Sequence, residues 1–247
     1  MAPTAAGSFH WFGASLELVG TQTLTVGDSG NYDFSGVISG PIALNKVGSG
    51  TQTLSGNNTY TGGTTLNAGQ LNINSATALG TGNFTIAGGT IDNTSGSAKT
   101  LTNNNTQNWN ADFTFAGTND LNMGTGNVTM NASRTVTVNA GNFTVGGIIS
   151  GSGFGLTKNG SGTMILTGAN TYNGTTTINT GTLQIGAGST TGSLASTTVV
   201  NNANLVYLVN GAGDNSLIAA LPSSLTGTGN LTLNSTTGYY NLTGNIS

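Results

Sequence analysis

Lys158 to Ile185 reads KNGSGTMILTGANTYNGTTTINTGTLQI, and a related stretch, KVGSGTQTLSGNNTYTGGTTLNAGQLNI, occupies Lys46 to Ile73. The two align without a gap, 112 residues apart, with 17 of 28 positions identical. Each follows a similar lead-in, GVISG at 36–40 and GIISG at 147–151. Self-similarity at a long, fixed spacing points to an architecture built from stacked units. Repeat units therefore start near 36 and 147.

Outward from the copies, the chain is made of apolar–Thr–apolar triplets. Leu24-Thr25-Val26, Phe84-Thr85-Ile86, Phe113-Thr114-Phe115, Val128-Thr129-Met130, Val136-Thr137-Val138 and Phe143-Thr144-Val145 all follow this form. Two apolar residues at a spacing of two define a strand with one buried face. Gly and Asn punctuate the triplets, as turns require. A sandwich is compatible with strands spaced this way. The repeat favours a solenoid, so the expected fold is all-β, a parallel β-helix with about 20–25 residues per coil. The solenoid should span 21–247 as a single domain, with 1–20 as a separate leader. Ser216 to Leu221 is the one place where a short helix is expected, closed by Pro222.

Composition narrows the function. Gly, Asn, Thr and Ser make up about 57% of the 247 residues, against four basic and seven acidic residues. A net charge of −3 is too small for a charged disordered chain. Four cations are too few to neutralise a row of phosphates, which argues against nucleic acid and against anionic membrane surfaces. The absence of cysteine removes disulfides, thiolate metal sites and cysteine nucleophiles. No run is long and apolar enough for a transmembrane helix. MAPTAAGSFHWFG at the start lacks the basic-then-apolar order of a signal peptide.

The two copies resemble the passenger-associated transport repeat of bacterial autotransporters. The pattern falls on Lys158, Gly160, Gly162, Thr163, Leu166, Gly168, Asn170, Tyr172, Gly174 and Gly181-Thr182-Leu183. In the other copy it falls on Lys46, Gly48, Gly50, Thr51, Leu54, Gly56, Asn58, Tyr60, Gly62, Gly69 and Leu71. The resemblance implies a right-handed β-helix that is secreted or exposed on a bacterial surface. The family normally ends in a membrane β-barrel, and this sequence shows no such domain; it resembles the passenger part.

Catalytic chemistry has few candidates. Glycoside hydrolysis needs two carboxylates at a defined separation. Asp28/Asp33 and Asp112/Asp120 are the close pairs, and Arg134 is the sole arginine, His10 the sole histidine. The Asp pairs stand in turn-like contexts, where Asp ordinarily caps the backbone. The expected protein is therefore not an enzyme and holds no cofactor and no metal. In the repeat, Gly56, Gly62, Gly168 and Gly174 are expected to supply positive φ or tight corners. Asn58 and Asn170 are expected in turns or amide ladders, Tyr60 and Tyr172 over a corner of the core, and Lys46 and Lys158 against a turn carbonyl. Exposed Tyr and Asn side chains would suit surface glycans. Phe9, Trp11 and Phe12 form the densest aromatic cluster and read either as an end cap or as an arm reaching a neighbouring copy. The candidate partners are thus the protein itself, end to end, or surface glycans. The function expected is a non-catalytic extracellular structural or adhesive solenoid; the alternatives are a head-to-tail filament subunit and, behind it, a carbohydrate-active enzyme.

Overall fold

The computed structural model describes residues 15–187, 192–209, 221–235 and 242–245. Among these residues there is no helix. Three long sheets stack along the molecule, one through nearly all the described coils, a second in the earlier coils and a third in the later ones, with two two-stranded sheets beside them. Sheet 1 has seven strands, from Thr23–Val26 to Ile149–Ser150; sheet 2 has ten, from Asn31–Phe34 to Ser224–Thr226; sheet 3 has eight, from Lys99–Thr100 to Leu242–Asn245. This is a parallel β-solenoid. The ten strands of sheet 2 are separated by nine steps, a stack of about 43 Å at ~4.8 Å per step.

The sequence dictates this winding locally. In each triplet the flanking apolar residues point inward and the central Thr outward, as in Phe84-Thr85-Ile86, where both flanks are buried. One coil consumes between 19 residues, from Leu54 to Ile73, and 26, from Val199 to Leu225. Stacking in register lines up like with like. Leu66, Ile86, Trp109 and Met130 form one buried inner column of sheet 1. Trp109, Phe113, Phe115 and Phe143 meet in edge-on and tilted ring pairs at 5.1–6.0 Å in the middle coils. Such pairs add modestly to the area they bury.

Within the 1–20 segment, Leu16–Glu17 already pairs in parallel with Ile38–Ser39. At the other end of sheet 3, Leu242–Asn245 pairs antiparallel with Asn230–Leu233, the one reversal among the described ladders. Phe9, His10, Trp11 and Phe12 lie outside the described residues, as do Asp214 and most of the 216–221 segment.

The two repeats do not sit on the same faces. Strands Ala43–Lys46 and Thr64–Leu66 of the first copy belong to sheet 1, and Thr51–Leu54 and Gln70–Ile73 to sheet 2. Their counterparts in the second copy, Leu156–Asn159 and Thr176–Ile178, belong to sheet 2, and Thr163–Leu166 and Thr182–Ile185 to sheet 3. The 112-residue offset is therefore five coils and one further face. Leu54 and Leu166, and likewise Leu66 and Ile178, are buried at matching places in their own coils.

Candidate functional site

The repeat concentrates its distinctive residues at two places in the coil. The first is the K-x-G-S-G corner. Gly48 and Gly160 turn the chain there with φ of +68° and +81°, a region that favours glycine. The tight turn aims several carbonyls at the interior. Lys46 Nζ donates to Val47 O at 2.7 Å, Gly48 O at 3.1 Å and Ala68 O at 3.2 Å. Lys158 Nζ repeats the set with Asn159 O at 2.9 Å, Gly160 O at 2.8 Å and Thr180 O at 3.3 Å. In each case two acceptors lie in the lysine's own turn and the third in the following coil. Both lysines are fully buried. An ammonium has three donors, which matches three carbonyls that would otherwise be orphaned. Burial pulls both lysines below their ordinary range, Lys158 to about 8; at Lys46 the charge of Asp28 opposes the shift.

The second place is the G-x-N-x-Y side of the coil. Asn58 Oδ1 accepts from Ile38 N at 2.8 Å, one coil back, and its Nδ2 donates to Ala78 O at 2.7 Å, one coil on. Asn170 accepts from Ile149 N at 2.9 Å and donates to Ser193 O at 3.0 Å. Each amide thus occupies a gap in the backbone ladder and joins three coils. Tyr60 and Tyr172 are buried below it, with hydroxyls 2.5 Å from Thr64 Oγ1 and 2.9 Å from Thr176 Oγ1. Burial drives both phenols far above their usual range, against the smaller opposing effect of the Thr hydrogen bonds. An exposed glycan platform built on these Tyr and Asn residues is therefore excluded, because all four are turned inward.

Gly56, Gly62, Gly168 and Gly174 do not adopt positive φ. Their role is close approach. A Cβ on Gly56 would lie 1.7 Å from Gly36 O, and one on Gly168 would lie 2.3 Å from Gly147 O. A Cβ on Gly62 would lie 2.6 Å from Ile42–Ala43 backbone, and one on Gly174 2.4 Å from Phe154 backbone. Coil-to-coil backbone contact at these positions leaves no room for a side chain.

The carboxylates serve the ladder too. Asp120 accepts from Asn142 N and Nδ2, both at 2.8 Å, one coil on. Asp112 accepts from Thr135 N at 2.8 Å and lies 3.9 Å from Arg134 Nη1. Arg134 is itself turned to Trp109 O and Asn131. Asp92 is buried and accepts from Asn93 N, Thr118 N and Thr118 Oγ1. Asp33 accepts from Ser55 Oγ. Asp28 is exposed; bonds from Gly30 N–H and the Tyr32 hydroxyl hold its carboxyl below the ordinary range. Among the described residues no three His, Cys, Asp or Glu gather as a metal site. Sequence reasoning anticipated a turn carbonyl for each lysine and missed the tie to the next coil. The available signal was that two of the four cations recur at one repeat position.

These features define a β-solenoid whose repeats tie coil to coil from within. The family model for the passenger-associated-transport-repeat matches residues 44–73 and 156–185, so the chain carries two such repeats. The chain is also similar to the adhesin BmaC autotransporter of Brucella suis biovar 1 (strain 1330), 36% identical over 172 residues. That match covers 67% of this chain and 5% of the adhesin, so the chain spans a small fraction of that relative's length. No solved structure matches the chain.

Proposed function

We propose that the chain is a non-catalytic, extracellular segment of a bacterial surface passenger, which forms a stiff adhesive or spacer rod. The observation that carries this reading is the use of polar groups. The conspicuous ones, Lys46, Lys158, Asn58 and Asn170, are spent inside, on coil-to-coil bonds. Two of the four cations are thereby removed from the surface. What remains outside is a hydroxyl- and amide-rich wall, such as Thr25, Asn45, Thr65, Thr85, Asn108, Thr129 and Ser150 stacked in register along sheet 1. Such a wall does not suit nucleic acid or anionic lipid. It suits weak, repeated contact with neutral partners, surface glycans among them. The similarity to an autotransporter adhesin supports the surface location and the adhesive role.

The carboxylates give an enzymatic reading little support, since each Asp named above accepts a hydrogen bond within the fold. For a filament joined end to end, the reversed strand Leu242–Asn245 already occupies one edge of sheet 3. The test is direct. Beads coated with the purified chain should bind to host-cell monolayers or to immobilised neutral glycans more than albumin-coated beads do. Equal binding on all surfaces would remove the adhesive role and leave a spacer.

A further inference from the structure

We propose that each repeat is a clasp that makes its own block of three coils a separately stable unit, so the solenoid opens block by block rather than as one. The argument starts from topology. In a solenoid a coil touches its neighbours and nothing more distant, so stability is local and depends on the bonds across each coil boundary. Backbone ladders and apolar columns cross every boundary alike. The repeats add two interior ties. Lys46 joins its turn to Ala68 O of the next coil, and Lys158 joins its turn to Thr180 O. Asn58 and Asn170 each bond the coil before and the coil after. The Tyr60 and Tyr172 hydroxyls bond Thr64 and Thr176, four residues on, and brace the corner beside each amide.

Other buried polar ties reach one neighbour. Asn105 donates back to Gly80 O and Gly82 O, and Asp92 accepts from Thr118 ahead. The doubly bonded amide and the three-carbonyl ammonium occur together in the two repeats, at Lys46 with Asn58 and at Lys158 with Asn170. Their interior setting matters, because a hydrogen bond lost there leaves partners that water cannot reach. The two clasps are separated by the coils from Phe84–Ile86 to Asn142–Val145, which carry no such pair. Removing one clasp should therefore loosen its own block and leave the other intact, as expected for independent cooperative units.

The experiment is hydrogen exchange by mass spectrometry on the whole chain, in the parent, Lys46→Met, Lys158→Met and the double variant. Met keeps the apolar stem and removes the donors. In Lys158→Met, amides within 156–185 should exchange at least about tenfold faster, with 44–73 unchanged; Lys46→Met should show the reverse, and the double variant both effects. Three results would overturn the proposal: equal acceleration in both repeats, no acceleration in either, or loss of the folded state throughout the chain from one substitution.

Discussion

Replacing Asn58 with Leu isolates the amide that joins three coils. Leu has nearly the same size and branching, so no large cavity opens. What is lost is specific: Ile38 N loses its acceptor at 2.8 Å and Ala78 O its donor at 2.7 Å. Asn58 is fully buried, so water does not replace the side chain. An orphaned buried group costs about 1–3 kcal/mol, which gives about 2–6 kcal/mol for two. The Tyr60 hydroxyl, 3.4 Å from Ala78 O, retains part of one bond and places the expectation in the lower half, about 2–4 kcal/mol. Urea unfolding followed by far-ultraviolet circular dichroism reads this out. With a slope of about 3 kcal/mol per molar urea, the midpoint of the block containing residue 58 should fall by roughly 1 M. Asn170→Leu should lose at least as much, because Asn170 makes the equivalent bonds and also donates to Gly168 O. Asn67→Leu, on the exposed side, should stay within about 0.5 kcal/mol of the parent. If Asn58→Leu were no worse than Asn67→Leu, the amide would not be holding coils together.

Other substitutions probe the remaining parts of the repeat. Leu166→Asp buries an unpaired carboxylate and should cost about 3–5 kcal/mol, measured by thermal melting; an unchanged melt would show that Leu166 does not face the core. Gly56→Ala forces a Cβ to within 1.7 Å of Gly36 O and should destabilise by about 1–3 kcal/mol in thermal melting; an unchanged melt would remove the close-approach argument. Burial lowers Lys158 to about 8 from an ordinary 10.5, so between those pH values the unfolded chain binds more protons than the folded one. Stability should therefore rise with pH across that window, and Lys158→Met should flatten the rise; a parent whose stability falls there would show that the carbonyl cage outweighs burial.

The strands were legible because Thr flanked by apolar residues has one reading, a half-buried strand. Phe84, Ile86, Val136, Val138, Phe143 and Val145 fall on the inward face by that rule, and all six are buried. The repeat spacing decided between sandwich and solenoid. The interior placement of Asn58, Tyr60 and Lys46 was harder to see. Polar residues in a Gly-rich stretch read as surface by composition, and only the coil geometry brings Ile38 N and Ala78 O to Asn58, and Ala68 O to Lys46, from adjacent coils. At Gly56 and Gly168 the sequence leaves positive φ and a tight corner both open, since either demand selects glycine, and the structure shows close backbone approach without positive φ. The shift of the second copy by one face also needs the coil length. With coils of 19–26 residues, an offset of 112 does not have to return to the same face.

Stepwise stacking along one axis is the claim on which everything above depends, and spin-label distances test it most directly. The chain has no cysteine, so pairs introduced at Thr25 with Asn108, Thr129 or Ser150 can be labelled cleanly. These residues lie on one outward column of sheet 1, four, five and six coils above Thr25. At ~4.8 Å per coil the separations should be about 19, 24 and 29 Å, and their increments do not depend on the label's own length. Narrow distributions rising by about 4.8 Å per coil are the predicted result. Distances that fail to grow from Asn108 to Thr129 to Ser150 would contradict the solenoid.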